Sequence, residues 1–209
     1  MKYKLVIFDF DGTLVDSFPF FLSTVNDLAE THQFKKVDFA EIETLRGYDA
    51  RRLINHMGLP LWKVPFVGRD FKARMAEKSD QISLFAGIEN MLQVLSKNGM
   101  ILSLITSNSY SNVRRKLNAK SMDLMVYPQC SVSLFGKRSK LKTILRKTGI
   151  DSSQAIFVGD EFRDLEAAKA EGVAFGAVAW GYTRIDALAE HAPAEIFSCV
   201  DEMAEKLTQ

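Results

Sequence analysis

An apolar run that ends in two carboxylates constrains the fold of this chain more than any other stretch. Residues 3–8 (YKLVIF) are mostly apolar and β-favouring, which predicts a short strand buried on both faces, as in a parallel sheet. Asp9 and Asp11 follow, and carboxylates two residues apart on an extended chain point the same way. Gly12 allows a tight backbone path out of the strand. The pattern predicts two acids in one pocket at a strand end, where parallel α/β sheets bind ligands.

A simpler explanation is that the two aspartates only cap a helix or line a turn. That explanation accounts for one acid and the glycine, but not for the two-residue spacing behind a buried strand. Like charges this close are unfavourable unless a cation or a shared proton separates them. The spacing therefore favours a ligand site over a structural turn.

Composition and charge exclude several classes of protein. The chain has 209 residues, 47% hydrophobic and 25% charged, which suits one large domain or a core with a small insertion and excludes a disordered chain. Its formal charge of +1 gives no general attraction to nucleic acid or acidic membranes, so we expect neither as a partner.

Cys130 and Cys199 form no CxxC pair and are expected to be reduced. Because no signal-peptide pattern and no membrane-spanning apolar run occur, we expect a cytoplasmic protein.

Residues 17–83 interrupt an otherwise regular alternation of strands and helices. Apolar spacing predicts four helices here and no strand, the first after Ser17 and the last over residues 61–80. We interpret the aromatic residues along these helices as bundle core rather than as a ligand site. The interruption predicts a small α-helical domain at residues 17–83, inserted into an α/β core formed by residues 1–16 and 84–209.

The rest of the chain predicts an open, mostly parallel, doubly wound sheet. Apolar runs predict strands at residues 101–105, 124–127, 155–158, 173–180 and 195–197. Strands that alternate with helices form such sheets through right-handed crossovers, and the pocket forms at the carboxyl ends of the strands. Asp9, Thr106 and Asp160 each stand at the end of a predicted strand. We therefore expect these three polar residues to meet at one site.

Four short segments occur in the order typical of one family of phosphohydrolases. They are residues 9–17 (DFDGTLVDS), residues 106–108 (TSN), residues 136–137 (GK) and residues 159–164 (GDEFRD). Together they resemble the motifs of the haloacid dehalogenase (HAD) superfamily, in which a helical cap sits over the active site of a Rossmann-like core. The resemblance implies a Mg²⁺-dependent phosphatase that hydrolyses a small phosphorylated metabolite. It also identifies the inserted helices as the cap.

The resemblance further implies a role for each motif residue. Asp9 would attack phosphorus to give an aspartyl phosphate, while Asp11 would protonate the leaving oxygen and later take a proton from water. Asp11 argues for phosphate chemistry, because the dehalogenases of this superfamily lack that acid. Mg²⁺ would be held by Asp9, Asp160 and the backbone carbonyl of Asp11, and Asp164 would support the site from outside the ligand set. The phosphate would be bound by Gly12, Thr106, Ser107 and Asn108.

The active-site lysine has two candidates in the sequence, Lys137 and Lys140. The family needs a lysine that neutralises the nucleophile and the phosphate, and proline commonly follows it, whereas Arg138 follows Lys137 here. A solvated basic start of a helix would account for the same residues. We take Lys137 as the candidate, with Asp164 as its partner.

Specificity for the leaving group is expected to come from the cap. Arg46, between two predicted cap helices, would reach the pocket and hold a substrate carboxylate or a second phosphate. It would serve equally well as a cap at the end of its helix. By analogy the activity would be phosphoglycolate phosphatase-like, with sugar phosphates and nucleoside monophosphates left open. A phosphomutase of the β-phosphoglucomutase type and a non-catalytic binding protein are the alternatives, and the chain would be a monomer or a homodimer.

Overall fold

The computed structural model describes residues 2–209, and these residues form a five-stranded and a two-stranded sheet. The strands are β1 (Leu5–Phe8), β2 (Val15–Asp16), β3 (Ser83–Leu84), β4 (Ile101–Leu104), β5 (Ala155–Gly159), β6 (Ala174–Val178) and β7 (Glu195–Phe197). The larger sheet has the order β4-β1-β5-β6-β7, and all of its neighbouring strands are parallel. Strand β1 lies between β4 and β5, so the residues that follow these three strands share one edge.

Helices from the part of the chain after β3 cover both faces of the larger sheet. The helices of the described residues are α1 (Phe18–His32), α2 (Ile42–Leu45), α3 (Ala50–His56), α4 (Val64–Glu77), α5 (Ile88–Lys97), α6 (Tyr110–Lys116), α7 (Ala119–Asp123), α8 (Lys137–Thr148), α9 (Phe162–Ala170), α10 (Ile185–Ala189) and α11 (Val200–Thr208). Side chains alternate along β1: Val6 and Phe8 pack with α5 and α11, while Leu5 and Ile7 pack with α8 and α9. This arrangement confirms the predicted doubly wound α/β fold.

The residues between β2 and β3, called the helical segment below (residues 17–82), contain α1 to α4 and no strand. Strands β2 and β3 pair antiparallel, which brings the two ends of the segment together. The segment has a hydrophobic cluster of its own, formed by Val25, Val37, Leu45 and Met57. The fold thus contains the predicted helical insertion, whereas its division into two domains at the predicted boundaries stays a prediction.

The strand predicted at residues 124–127 is wrong. Met125 forms a single bridge with Leu102, and no continuous ladder develops within the described chain. Tyr127 adopts a left-handed backbone with φ of 49°, which a strand cannot contain, and Pro128 has no N–H to donate. The segment therefore follows the edge of β4 without extending the sheet.

Two expectations from composition concern cysteines and membranes. Cys130 and Cys199 are both free thiols. Among residues 2–209, the helices are all too short or too polar to cross a bilayer.

Candidate active site

Three buried polar residues lie at the carboxyl edge of the larger sheet. Asp9 follows β1, Asp160 follows β5, and Thr106 comes two residues after β4. None of them exposes more than 2% of its surface. The N–H of Asp9 donates to the carbonyl of Val158 at 2.8 Å, which continues the pairing of β1 with β5 past the end of β1. The strand order therefore brings these residues to one place.

Asp9, Asp160 and Asp164 form a cluster of buried carboxylates. Each offers one oxygen, and the three oxygens lie within 4.8 Å of one another. Burial raises the pKa of Asp160 well above its usual value, and the charges of Glu161 and Asp9 add to the shift. A buried, oxygen-only group of this kind fits a hard divalent cation, because the cation would relieve the repulsion among the acids.

Lys137, the first residue of α8, points into this cluster. Its Nζ lies 2.6 Å from Oδ2 of Asp9 and also donates to Oδ1 of Asp164. Burial works against the charge of Lys137, but the carboxylates of Asp164 and Asp9 outweigh it and raise the pKa of the lysine. The ammonium therefore stays charged. Lys140 is partly exposed on the same helix, so the geometry favours Lys137 as the candidate lysine.

Asp164 is held in place by the start of α9. Its Oδ2 accepts a hydrogen bond from the N–H of Glu161 at 3.2 Å. The backbone of Gly159 packs against the side chain of Asp164, and a Cβ at Gly159 would lie 2.7 Å from Oδ2 of Asp164. A glycine is needed there for this approach, which explains the glycine of the Gly159-Asp160 pair in physical terms.

Asp11 lies in the turn that follows Asp9. Its Oδ2 accepts a hydrogen bond from Nδ2 of Asn108 at 3.2 Å. Burial, and then the negative charge of Asp9, raise the pKa of Asp11 to about 6. A carboxyl group with such a pKa can both donate and accept a proton near neutral pH.

Thr106, Ser107 and Asn108 form a polar loop next to Asp11. Oγ1 of Thr106 accepts a hydrogen bond from the N–H of Asn108 at 2.9 Å. The carbonyl of Ser107 accepts one from Nζ of Lys72, which belongs to α4 of the helical segment, at 3.1 Å. The loop is thus held both internally and from the helical segment. Its binding of phosphate stays a prediction.

Three residues that position Asp160 were not predicted from the sequence. Thr13 Oγ1 donates to Oδ1 of Asp160 at 2.9 Å, and the N–H of Tyr182 donates to Oδ2 at 2.8 Å. At Gly181 a Cβ would lie 2.1 Å from Cβ of Asp160. At Gly12, where φ is +76°, a Cβ would lie 2.2 Å from Oδ2 of Asp160, so the absence of a side chain makes room for that carboxylate, and binding of phosphate by Gly12 stays a prediction. The available signal was a polar Gly-Tyr-Thr stretch after the predicted strand at residues 173–180.

Arg46 lies at the end of α2 and contacts the loop that follows β6. Its Nη2 donates to the carbonyl of Gly181 and its Nε to that of Tyr182, both at 3.0 Å. Its Nη1 donates to Glu43 at 3.0 Å. Arg46 therefore links the helical segment to the loop that holds Asp160. Binding of a substrate carboxylate by Arg46 stays a prediction, and it would compete with these bonds.

Comparison with known proteins places these features in a family. A family model described as haloacid dehalogenase-like hydrolase matches residues 6–178. Phosphoglycolate phosphatase of Synechococcus elongatus is 27% identical over 207 residues, which are 99% of this chain and 98% of that protein. N-acetylmuramic acid 6-phosphate phosphatase of Pseudomonas aeruginosa is 26% identical over 190 residues, which are 87% and 84% of the two chains.

The fold is also found among solved structures. A crystal structure of a Lactobacillus plantarum protein matches with a TM-score of 0.81 and 24% sequence identity. The match covers 98% of this chain and 99% of that chain. At this identity the match concerns the fold alone, and it extends over the helical segment as well as the sheet.

Proposed function

The chain belongs to the haloacid dehalogenase-like hydrolases and is a phosphoric monoester hydrolase, and we propose that it depends on Mg²⁺ and forms an aspartyl phosphate. The observation that carries the proposal is the buried ion pair between Lys137 and Asp9, with 2.6 Å between Nζ and Oδ2. Asp11, whose pKa is raised to about 6, lies beside this pair. A candidate nucleophile, a cation held beside it and a candidate acid–base group thus lie together at the sheet edge.

The proposed ligands of Mg²⁺ are Asp9, Asp160 and the backbone carbonyl of Asp11. The oxygen-only cluster supports this assignment, since Mg²⁺ prefers carboxylate and carbonyl oxygens. Both oxygens of Asp164 already accept hydrogen bonds, Oδ1 from Lys137 and Oδ2 from the N–H of Glu161, which supports a place beside the ligands rather than among them. When bound, Mg²⁺ would supply positive charge to the oxygens of the transferring phosphoryl group.

The proposed reaction has two steps. In the first, a carboxylate oxygen of Asp9 attacks phosphorus, the bond from phosphorus to the leaving oxygen breaks, and Asp11 gives its proton to that oxygen. In the second, Asp11 takes a proton from water, the water oxygen attacks phosphorus, and inorganic phosphate leaves as the bond to Asp9 breaks. Lys137 faces the carboxylate of Asp9 before the attack and balances the negative charge of the phosphoryl group after it.

The proposed substrate is a small phosphorylated metabolite. The two relatives described above are named for different phosphate esters at nearly equal identity, so similarity alone does not select one. Phosphoglycolate is one candidate by analogy with the first relative. The cytoplasmic location, the lack of nucleic-acid and membrane partners and the monomeric or homodimeric state stay predictions from the sequence.

The first test measures hydrolysis of p-nitrophenyl phosphate with Mg²⁺, after removal of the cation with EDTA, and after its return. We expect turnover to vanish with EDTA and to return with Mg²⁺. Asp11→Asn should give a burst of p-nitrophenolate equal to the amount of enzyme and then slow turnover. This leaving group departs without a proton, so the first step would proceed while hydrolysis of the aspartyl phosphate is blocked.

The control for this burst is Asp123→Asn, which makes the same change at an exposed site on α7 and should behave as the wild type. Steady turnover in EDTA, or the absence of a burst with Asp11→Asn at normal turnover, would contradict the proposal. A phosphomutase would instead return its phosphoryl group to a second substrate, which a bisphosphate intermediate would reveal. A non-catalytic protein would show no turnover and no binding of beryllofluoride, a mimic of the aspartyl phosphate.

A further inference from the structure

A cavity of about 300 Å³ extends from the candidate active site into the helical segment. At one end it is lined by Asp11 and Ser107, and at the other by side chains from the interior of the helical segment, among them Leu28 and Ile54. A leaving group attached to a phosphate beside Asp11 would therefore have a direct path between the helices.

The wall of this cavity is almost wholly apolar within the helical segment. Helix α1 contributes Phe21 and Val25, and α4 contributes Val67 and Phe71. Apart from Arg46 and Tyr48, the lining residues of the segment have no polar side-chain atom. A hydroxyl or carboxylate placed deep among these helices would lose its contacts with water and find few partners, which is unfavourable.

The polar residues that line the cavity come mainly from the sheet side and are bonded to other protein groups. Arg163 forms an ion pair with Glu161. Arg46 donates to two backbone carbonyls and to a carboxylate, as described above. The charged groups available to hold an anionic leaving group are thus already engaged at the mouth of the cavity.

The size of the cavity is typical of a ligand-binding pocket rather than of a packing defect. Protein interiors are close-packed, and voids larger than a water molecule are few. Ligand pockets, in contrast, have volumes of about 300–1,000 Å³ and mostly apolar walls with a few polar groups at one end. The cavity in this chain has the volume and the lining of the second kind.

We propose that the substrates are phosphomonoesters with an apolar leaving group, an alcohol with an alkyl or aryl body that lies between the helices. The inference rests on the proposed function, because it places the phosphate of the ester beside Asp11. The apolar body then contacts Leu28, Ile54 and their neighbours, while its oxygen stays at the sheet edge. Phosphoglycolate, with a carboxylate in its short leaving group, would use little of this wall.

The test measures binding before turnover, so that it does not depend on the reaction. The probes are n-alkylphosphonates of two to eight carbons, whose carbon–phosphorus bond a phosphomonoesterase does not break, and titration calorimetry with Mg²⁺ gives their affinity for the wild-type protein. We expect the affinity to rise about fourfold with each added methylene until the cavity is full, as burial of each group predicts. The heat capacity change on binding should become more negative along the series.

A substitution on α4 tests whether the chain occupies this cavity. Gly68 lines the cavity on the same helix face as Val64 and Val67, and a Cβ there would meet no heavy atom within 4 Å. Gly68→Leu should therefore fill part of the cavity and remove the advantage of octylphosphonate over ethylphosphonate. Ala73→Leu adds a larger side chain on the exposed face of the same helix and should leave the series unchanged.

The outcomes separate this inference from the proposed function. An affinity that does not change with chain length, or a rise that survives Gly68→Leu in a folded protein, would overturn the apolar leaving group. If Gly68→Leu does not fold, the wild-type series still decides, because a flat series is incompatible with an apolar site. Failure to hydrolyse p-nitrophenyl phosphate would count against the proposed function, while the binding series would still report on the cavity.

Discussion

The carboxyl edge of the larger sheet and the helical segment meet at one pocket but are built in opposite ways. At the sheet edge, buried polar groups are in direct contact: Asp160 accepts hydrogen bonds from Thr13 and Tyr182, and Lys137 joins Asp9 to its neighbours. In the helical segment, apolar side chains face one another across a cavity of about 300 Å³. The sheet edge is closely packed, whereas the helical segment contains a cavity.

This difference follows from the chemistry of each lining. A charge removed from water has to be paired, since an uncompensated buried charge is strongly destabilising. Apolar walls need no pairing and accept bodies of varied shape. We therefore expect substitutions at the sheet edge to change the turnover of every ester. Substitutions in the helical segment should instead change the ranking of the esters.

The largest effect is expected from Asp9→Asn at the sheet edge. The amide keeps the shape of the carboxylate but removes the proposed nucleophile and the charge that faces Lys137. Turnover of every ester should fall on the order of 10⁴-fold or more, as for other enzymes that lose a nucleophile. Steady-state kinetics on short and long esters gives the result. A loss confined to the long esters would contradict the assignment of chemistry to the sheet edge.

A second large effect is expected on stability from Lys137→Met. The substitution leaves the carboxylates of Asp9 and Asp164 buried without their shared cation. Breaking a buried pair in this way should lower the free energy of unfolding by about 3–5 kcal/mol. Urea denaturation in EDTA measures the change. Lys140→Met, on the partly exposed part of the same helix, is the matched control and should change little; equal losses would refute the special place of Lys137.

A smaller difference is expected between two leucines, one in each region. Leu104 in β4 and Leu28 in α1 are both buried, but Leu28 borders the cavity. Leu104→Ala should cost about 3–5 kcal/mol, because it creates a new void, and Leu28→Ala nearer 2 kcal/mol, because the void is already present. Denaturation curves of the two variants give the comparison. Equal losses would mean that the helical segment is as closely packed as the sheet.

Much of the sheet edge could be predicted from the sequence, because strand ends carry a local signal. The apolar runs before Asp9 and Asp160 are short, sharply bounded and followed by acids, so both positions were predicted correctly as strand ends. Thr13 and Gly181 were missed because both are distant from Asp160 in the sequence. They come into contact with Asp160 only in the folded chain. The strand predicted at residues 124–127 was wrong because Tyr127 adopts a left-handed backbone, which the apolar composition of the run does not reveal.

The cavity could not be predicted from the sequence for a different physical reason. Helical spacing predicts which side chains face inward, and it predicted a bundle core for the aromatic residues of these helices. Phe71 does face the interior, where it lines the cavity, but Trp62 and Phe66 are exposed, so the prediction was wrong for those two. It says nothing about the distance between facing helices. A packed core and a lined cavity therefore have the same pattern, and the interpretation of the aromatic residues as bundle core was incomplete.

The smallest effect compares one substitution, glycine to alanine, in the two regions. At Gly68 in α4 a Cβ meets no heavy atom within 4 Å, so alanine should raise the free energy of unfolding by about 0.5–1 kcal/mol through helix propensity and a less flexible unfolded chain. At Gly159 a Cβ would lie 2.7 Å from Oδ2 of Asp164, so alanine should be destabilising because of this contact. The φ angle at Gly159 lies outside the left-handed region, so backbone strain does not contribute to the loss. Opposite signs in thermal denaturation would confirm that one region is open and the other closed to added volume. Destabilisation at both positions would mean that the helices close on the cavity in solution, whereas stabilisation at both would contradict the close contact at Gly159.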